Sequence, residues 1–91
     1  MFLKNNEKEI LNWNYDVFNY IPKGYIEISK EEFDRLDTIW KEIKEKKRLL
    51  IITDFKAIKH SEGCYTEEEY APIKALRQSY RDRINELEQM L

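Results

Sequence analysis

The chain of 91 residues has one cysteine, Cys64. No disulfide can form within it, so nothing in it demands an oxidising compartment. Its two glycines, Gly24 and Gly63, are too few for a glycine-rich phosphate loop. Its one histidine, His60, and its one cysteine give at most two of a zinc site's four ligands, so carboxylates would have to complete it. The longest purely aliphatic run covers residues 49–52, far below the ~20 residues of a membrane span. The first six residues lack the apolar run of a secretory signal, so the cytoplasm is the expected location and no membrane is expected as a partner. Neither sign of charge dominates: 16 basic and 18 acidic side chains leave a net charge of −2.

What is present is a soluble, aromatic-rich composition. Charged residues make up 37%, hydrophobic residues 42% and aromatic residues 13%. That hydrophobic share is near normal for a folded protein, so the mixed charges read as surface and not as disorder. A chain of this length is expected to form one domain, residues 1–91, with a small core.

The clearest local signal is Ile28-Ser29-Lys30-Glu31-Glu32-Phe33. Ser29 and Glu32 have the spacing of a capping box, and Ile28 and Phe33 that of a hydrophobic staple. An extended segment therefore ends at Ile28 and a helix begins at Lys30. Its apolar positions Phe33, Leu36, Trp40 and Ile43, widened by Ile39, recur every three or four residues as far as about Lys47. Upstream, residues 10–17 alternate: Leu11, Trp13, Tyr15 and Val17 against Asn12, Asn14 and Asp16, the period of a half-buried strand. Phe2 and Leu3 can pair with it through a turn at Asn5-Asn6. Ile21-Pro22-Lys23-Gly24 reads as a turn and Tyr25-Ile26-Glu27-Ile28 as a further strand.

Residues 48–53, Arg-Leu-Leu-Ile-Ile-Thr, read as a central strand covered on both faces. Residues 55–58 either return as a shorter strand or extend it. Residues 60–64 read as a loop. Thr66 and Glu69 form a second capping box, and Pro72 is expected to break or kink the helix after a first turn at residues 67–70. In the terminal helix Ile73 and Ile84, Leu76 and Leu87, and Tyr80 and Leu91 stand eleven residues apart, a repeat that drifts little around a straight helix. The expected fold is α+β: a small antiparallel sheet of three to five strands, two helices packed on it, and a long C-terminal helix.

No catalytic set assembles from these residues, and neither an enzyme activity nor a metal or cofactor is expected. His60 and Cys64 stand four apart, but Glu62, Glu67 and Glu68 would hold the thiol protonated. Glu67, Glu68 and Glu69 are explained as first-turn carboxylates favoured by the helix dipole. Three groups remain as candidate partner-binding residues. Phe18, Tyr20 and Tyr25 lie in an aromatic stretch interleaved with asparagines, the composition of interface anchors. Lys44, Lys46, Lys47 and Arg48 fall in residues 41–59, which carry +4, and could meet phosphates, although a helix C-terminus explains them locally. Arg77 and Arg81 flank the apolar stripe of the terminal helix, which offers either a homodimer seam or a face packed on its own sheet.

The order of the strand Gly24-Tyr25-Ile26-Glu27-Ile28, the helix start Ser29-Lys30-Glu31-Glu32-Phe33, the run Lys47-Arg48-Leu49-Leu50-Ile51-Ile52 and the start Thr66-Glu67-Glu68-Glu69 resembles small bacteriophage-encoded proteins. Two groups share these features: tail-fibre-assembly and tail-chaperone proteins, and small anti-CRISPR inhibitors of type II effectors. The resemblance covers residues 24–52 and 65–91. It implies a protein-binding module, an inhibitor of a host or defence factor, with a virion-assembly chaperone as the alternative; a nucleic-acid binder, the third reading, rests on Lys44, Lys46, Lys47 and Arg48 instead. The proline-rich linker that the tail group carries before its last helix is missing here, and no functional residue is transferred from either group.

Overall fold

The computed structural model describes residues 1–91 and gives an α+β chain of three short strands and three helices. In order these are β1 (Phe2–Lys4), β2 (Ile10–Asn12), α1 (Tyr15–Phe18), β3 (Ile26–Ile28), α2 (Lys30–Ser61) and α3 (Glu67–Met90). The residues group into two compact units, Met1–Trp40 with Leu91, and Lys41–Met90.

The first unit holds the sheet, in the order β2-β1-β3 with both pairings antiparallel. Leu3 faces Leu11 on one side and Glu27 on the other, and it is wholly buried. The turn at Asn5-Asn6 closes the β1–β2 hairpin as expected. Asn5 Oδ1 accepts from the N–H groups of Glu7 and Glu9, and the Asn5 N–H donates to the Glu9 carbonyl at 3.1 Å. Met1 and Trp13 extend the ladder: the Trp13 N–H donates to the Met1 carbonyl at 2.8 Å.

The alternating segment at residues 10–17 is a strand only to Asn12. Asn14 then caps α1, its side chain accepting from the Val17 N–H, and Asn19 closes that single turn in the left-handed region at φ 58°. Two asparagines that suit caps and left-handed geometry override the period-two pattern. The following turn lies one residue later than the sequence suggests. The Tyr25 N–H donates to the Pro22 carbonyl, and Gly24 takes the positive φ, 88°, that a third turn position of this kind requires.

α2 starts where the sequence places it, with the Glu32 N–H donating to Ser29 Oγ at 3.1 Å. The carboxylate of Glu32 accepts from Lys4 Nζ. Phe33 meets Phe2 with the rings tilted by 42° and their centroids 4.6 Å apart. Leu36 and Ile39 are buried, and Trp40 Nε1 donates to the Lys8 carbonyl at 2.7 Å.

The largest correction concerns residues 48–58. They form no strand: α2 runs through them for 32 residues without interruption. The strongest turn residues are missing between Ser29 and Gly63, because residues 30–62 contain no glycine, proline or asparagine. The β-branched run Ile51-Ile52-Thr53 costs a helix only a few tenths of a kcal/mol per residue, on the order of what two or three packing contacts return. The helix also takes His60 and Ser61, which were expected in a loop. It ends in a Schellman motif: Gly63 stands at φ 81°, its N–H donates to the His60 carbonyl, and the Cys64 N–H donates to the Lys59 carbonyl.

α3 begins with the complete capping box at Thr66 and Glu69, both bonds formed at 3.1 and 3.2 Å. It continues through Pro72, so of the break or kink expected there the break does not occur. The proline deprives only the Glu68 carbonyl of its partner, and that residue is exposed, so water can replace the bond.

In the second unit α2 and α3 form an antiparallel hairpin. His60 stacks on Tyr70 with ring centroids 4.1 Å apart, Arg77 reaches Leu50 and Thr53, and Arg83 reaches Glu42. The covered positions of α3 are Tyr70, Ile73, Arg77, Tyr80, Ile84 and Leu87, spaced three and four in alternation. Those of α2 in this unit, Ile43, Lys46, Leu50, Thr53, Ala57 and His60, follow the same rhythm. This is a heptad and not the eleven-residue repeat read from the apolar residues alone. Leu76, which that repeat placed on the stripe, is exposed, and Arg77 takes the covered position.

Candidate functional site: an aromatic cluster and an inverted helix

The aromatic stretch of the first unit folds on itself at the surface. Trp13 stacks on Phe18 with centroids 4.5 Å apart and meets Tyr20 edge-on at 5.5 Å. Phe18 and Tyr20 are 6.2 Å apart. The Trp13 Nε1–H donates to the Tyr20 carbonyl at 2.7 Å, so the indole fixes the strand end to the residue after α1's cap. Despite these contacts Phe18 is 50% exposed and Tyr20 56% exposed. Trp13 is half-buried and belongs to this cluster, and Tyr25 is half-buried. Val17, Tyr15 and Ile21 are exposed beside them. An open cleft of about 570 Å³, lined by Met1, Asn12, Trp13, Asn14, Tyr15 and Asp16, adjoins the cluster.

In the second unit the C-terminal half of α2 departs from ordinary amphipathic design. The face of α2 turned to α3 carries Lys46, Thr53, Ala57 and His60 among its covered positions. The face turned away carries Ile51, 70% exposed, with Ile52, Phe55 and Ile58 also exposed. Beside the buried Ile43, Ile84 and Leu87, polar bonds join the two helices. Arg77 is 7% exposed; its Nη1 donates to the Leu50 carbonyl at 2.9 Å and to Thr53 Oγ1 at 2.6 Å, and its Nη2 to Asp54 Oδ1 at 2.7 Å. Lys46 Nζ lies 5.9 Å from the Tyr80 ring centroid. Arg83 Nε donates to Glu42 Oε2 at 2.7 Å, and this bond pulls the Glu42 carboxyl below its ordinary pKa.

The basic cluster at residues 44–48 is therefore divided. Lys44 and Lys47 are exposed and hold no partner, Arg48 is bonded to Glu45 one turn back, and Lys46 turns toward α3. Arg77 is spent inside the hairpin. Arg81 is exposed, and with His60, Tyr70, Lys74 and Arg77 it lines a shallow cleft of about 310 Å³. His60 Nε2 sits 2.9 Å from Glu67 Oε1, while Cys64 is free and exposed. No three His, Cys, Asp or Glu side chains converge as metal ligands would. No helix is long and apolar enough to cross a membrane.

The exposed row on α2 escaped sequence reading because its residues were assigned to a strand. The signal lies in the absence of glycine, proline and asparagine from residues 30–62. Comparison with protein-family models, with curated proteins and with solved structures found no match to this chain.

Proposed function

We propose that this chain is a protein-binding module without a reactive centre of its own, acting by occupying a partner's surface. The observation that carries this reading is the cluster of Trp13, Phe18 and Tyr20. Three large rings brace one another while two of them stay half in water. Aromatic anchors of this kind dominate binding energy at interfaces, and fixing them before contact reduces the entropy lost on association. The neighbouring exposed residues Val17, Tyr15 and Ile21 extend the surface around them.

The resemblance to small bacteriophage-encoded proteins makes a host or defence factor the first partner to test and a tail or fibre protein the second. An inhibitor and an assembly chaperone use such a surface alike and differ in what happens to the protein they hold.

The test is site-specific crosslinking in extracts of the cells that encode the chain, with a photoreactive phenylalanine analogue at position 18. A discrete protein adduct that disappears with Tyr20→Ala supports the proposal. Loss of activity in the captured protein marks an inhibitor, and a gain in its soluble yield marks a chaperone. Absence of any protein adduct, or adducts indifferent to Tyr20→Ala, refutes it.

A further inference from the structure

We infer that the outer row of α2, Ile51, Ile52, Phe55 and Ile58, is the seam of an antiparallel two-fold pairing with a second copy of this chain. The inference uses residues of the second unit alone, so its failure would leave the aromatic reading of the first unit untouched.

The row is a coherent surface. At 100° per residue, Ile51, Phe55 and Ile58 fall within about 60° of one another and Ile52 lies at the edge. Lys46, Leu50, Thr53, Ala57 and His60 occupy the opposite face. A helix that covers a lysine, a threonine and a histidine while leaving three isoleucines and a phenylalanine in water is inverted relative to a monomer's needs. The four side chains expose roughly 400 Å² of apolar area, about half of the ~800 Å² per partner that a stable interface buries. The flanking stems of Lys47, Arg48 and Lys59 supply much of the remainder.

Charge selects the occupant and its direction. The row carries Lys44 and Lys47 at one end and, at the other, Glu62 together with Lys59, whose Nζ lies 5.6 Å from the Phe55 ring centroid. Lys44, Lys47 and Glu62 are exposed and none has an ionic partner in its own chain. A two-fold interface must be complementary to itself. With the axis between Asp54 and Phe55, an antiparallel copy sets Ile51 against Ile58, brings the two Phe55 rings together across the axis, and places each Lys47 beside the other copy's Glu62. A parallel copy would set Lys47 against Lys47 and Glu62 against Glu62. The homodimer seam expected on the terminal helix has less to offer, because Ile84 and Leu87 are already buried.

The experiment is sedimentation equilibrium of the full chain over a wide concentration range, with far-UV circular dichroism confirming helix content in each variant. The wild-type chain is expected to dimerise. Lys47→Glu and Glu62→Lys should each weaken dimerisation about tenfold, since symmetry counts every substitution twice, and the double reversal should recover most of the loss. Phe55→Ser should leave a folded monomer. A wild-type chain that stays monomeric throughout overturns the inference. So does a dimer indifferent to the single reversals or to Phe55→Ser, or one that the double reversal fails to restore. A wild-type monomer that associates only with a different protein through this row also overturns it.

Discussion

Replacing Arg77 separates the two things it does in the hairpin. Its guanidinium makes three hydrogen bonds, and its stem fills a covered heptad position at 7% exposure. In Arg77→Ala both are lost. What remains is not badly stranded, however. Thr53 Oγ1 still donates to the carbonyls of Leu49 and Leu50, and the Asp54 side chain, 55% exposed, keeps water as a partner. The cost therefore comes mainly from the emptied volume and the lost bonds, about 2–3 kcal/mol, below the 3–5 kcal/mol of a fully buried broken pair. Arg77→Met keeps most of the volume and removes the burden of a buried charge, so its cost should be about 1 kcal/mol or less. For a chain of this size that corresponds to a fall in Tm of roughly 10–20 °C for alanine and under about 8 °C for methionine. Urea denaturation followed by circular dichroism measures both. Methionine proving as costly as alanine would refute the reasoning, because the hydrogen bonds and not the volume would then carry the position.

Three further outcomes are expected. Gly63→Ala should cost about 1 kcal/mol by denaturation, all of it conformational, because Gly63 sits at φ +81° with nothing within 4 Å of the added Cβ. Pro72→Ala should raise stability by about 1–3 kcal/mol, since it returns a donor to the Glu68 carbonyl; a loss of stability would show that the proline is needed to shape the start of α3. Acid should weaken the fold: hydrogen bonds from Lys4, Arg83 and Arg48 hold the carboxyls of Glu32, Glu42 and Glu45 below the ordinary glutamate pKa. Their contribution is complete above the unfolded value of about 4.3 and disappears as the pH falls through the lowered folded values, so stability that rose between pH 5 and pH 2 would contradict these pairings.

The helix starts were legible because a cap is local chemistry. Ser29 and Thr66 each declare a boundary within four residues, and both bind as their spacing implies. The hairpin at Asn5-Asn6 was legible for the same reason. Residues 48–58 were misread because a short run of aliphatic β-branched residues fits a buried strand as well as a helix; only the lack of strong turn residues between Ser29 and Gly63 separates the two. The heptad of α3 was hidden by Arg77, a charged residue at a covered position, so a search for apolar periodicity passed over it and counted Leu76 instead. The candidate surfaces followed the same division. Phe18 and Tyr20 were found from composition, whereas the row on α2 depended on knowing that the segment is helical.

Both the polar bonds inside the hairpin and the outward apolar row depend on the helical conformation of residues 48–58 and vanish if that segment is extended. Backbone chemical shifts from heteronuclear NMR of the full chain read this directly. Helical carbon shifts are expected without a break from Arg48 through Ile58, with proton contacts from Ile51 to Asp54 and from Phe55 to Ile58. Strand-type shifts anywhere in Leu49, Leu50, Ile51 and Ile52 would contradict that conformation.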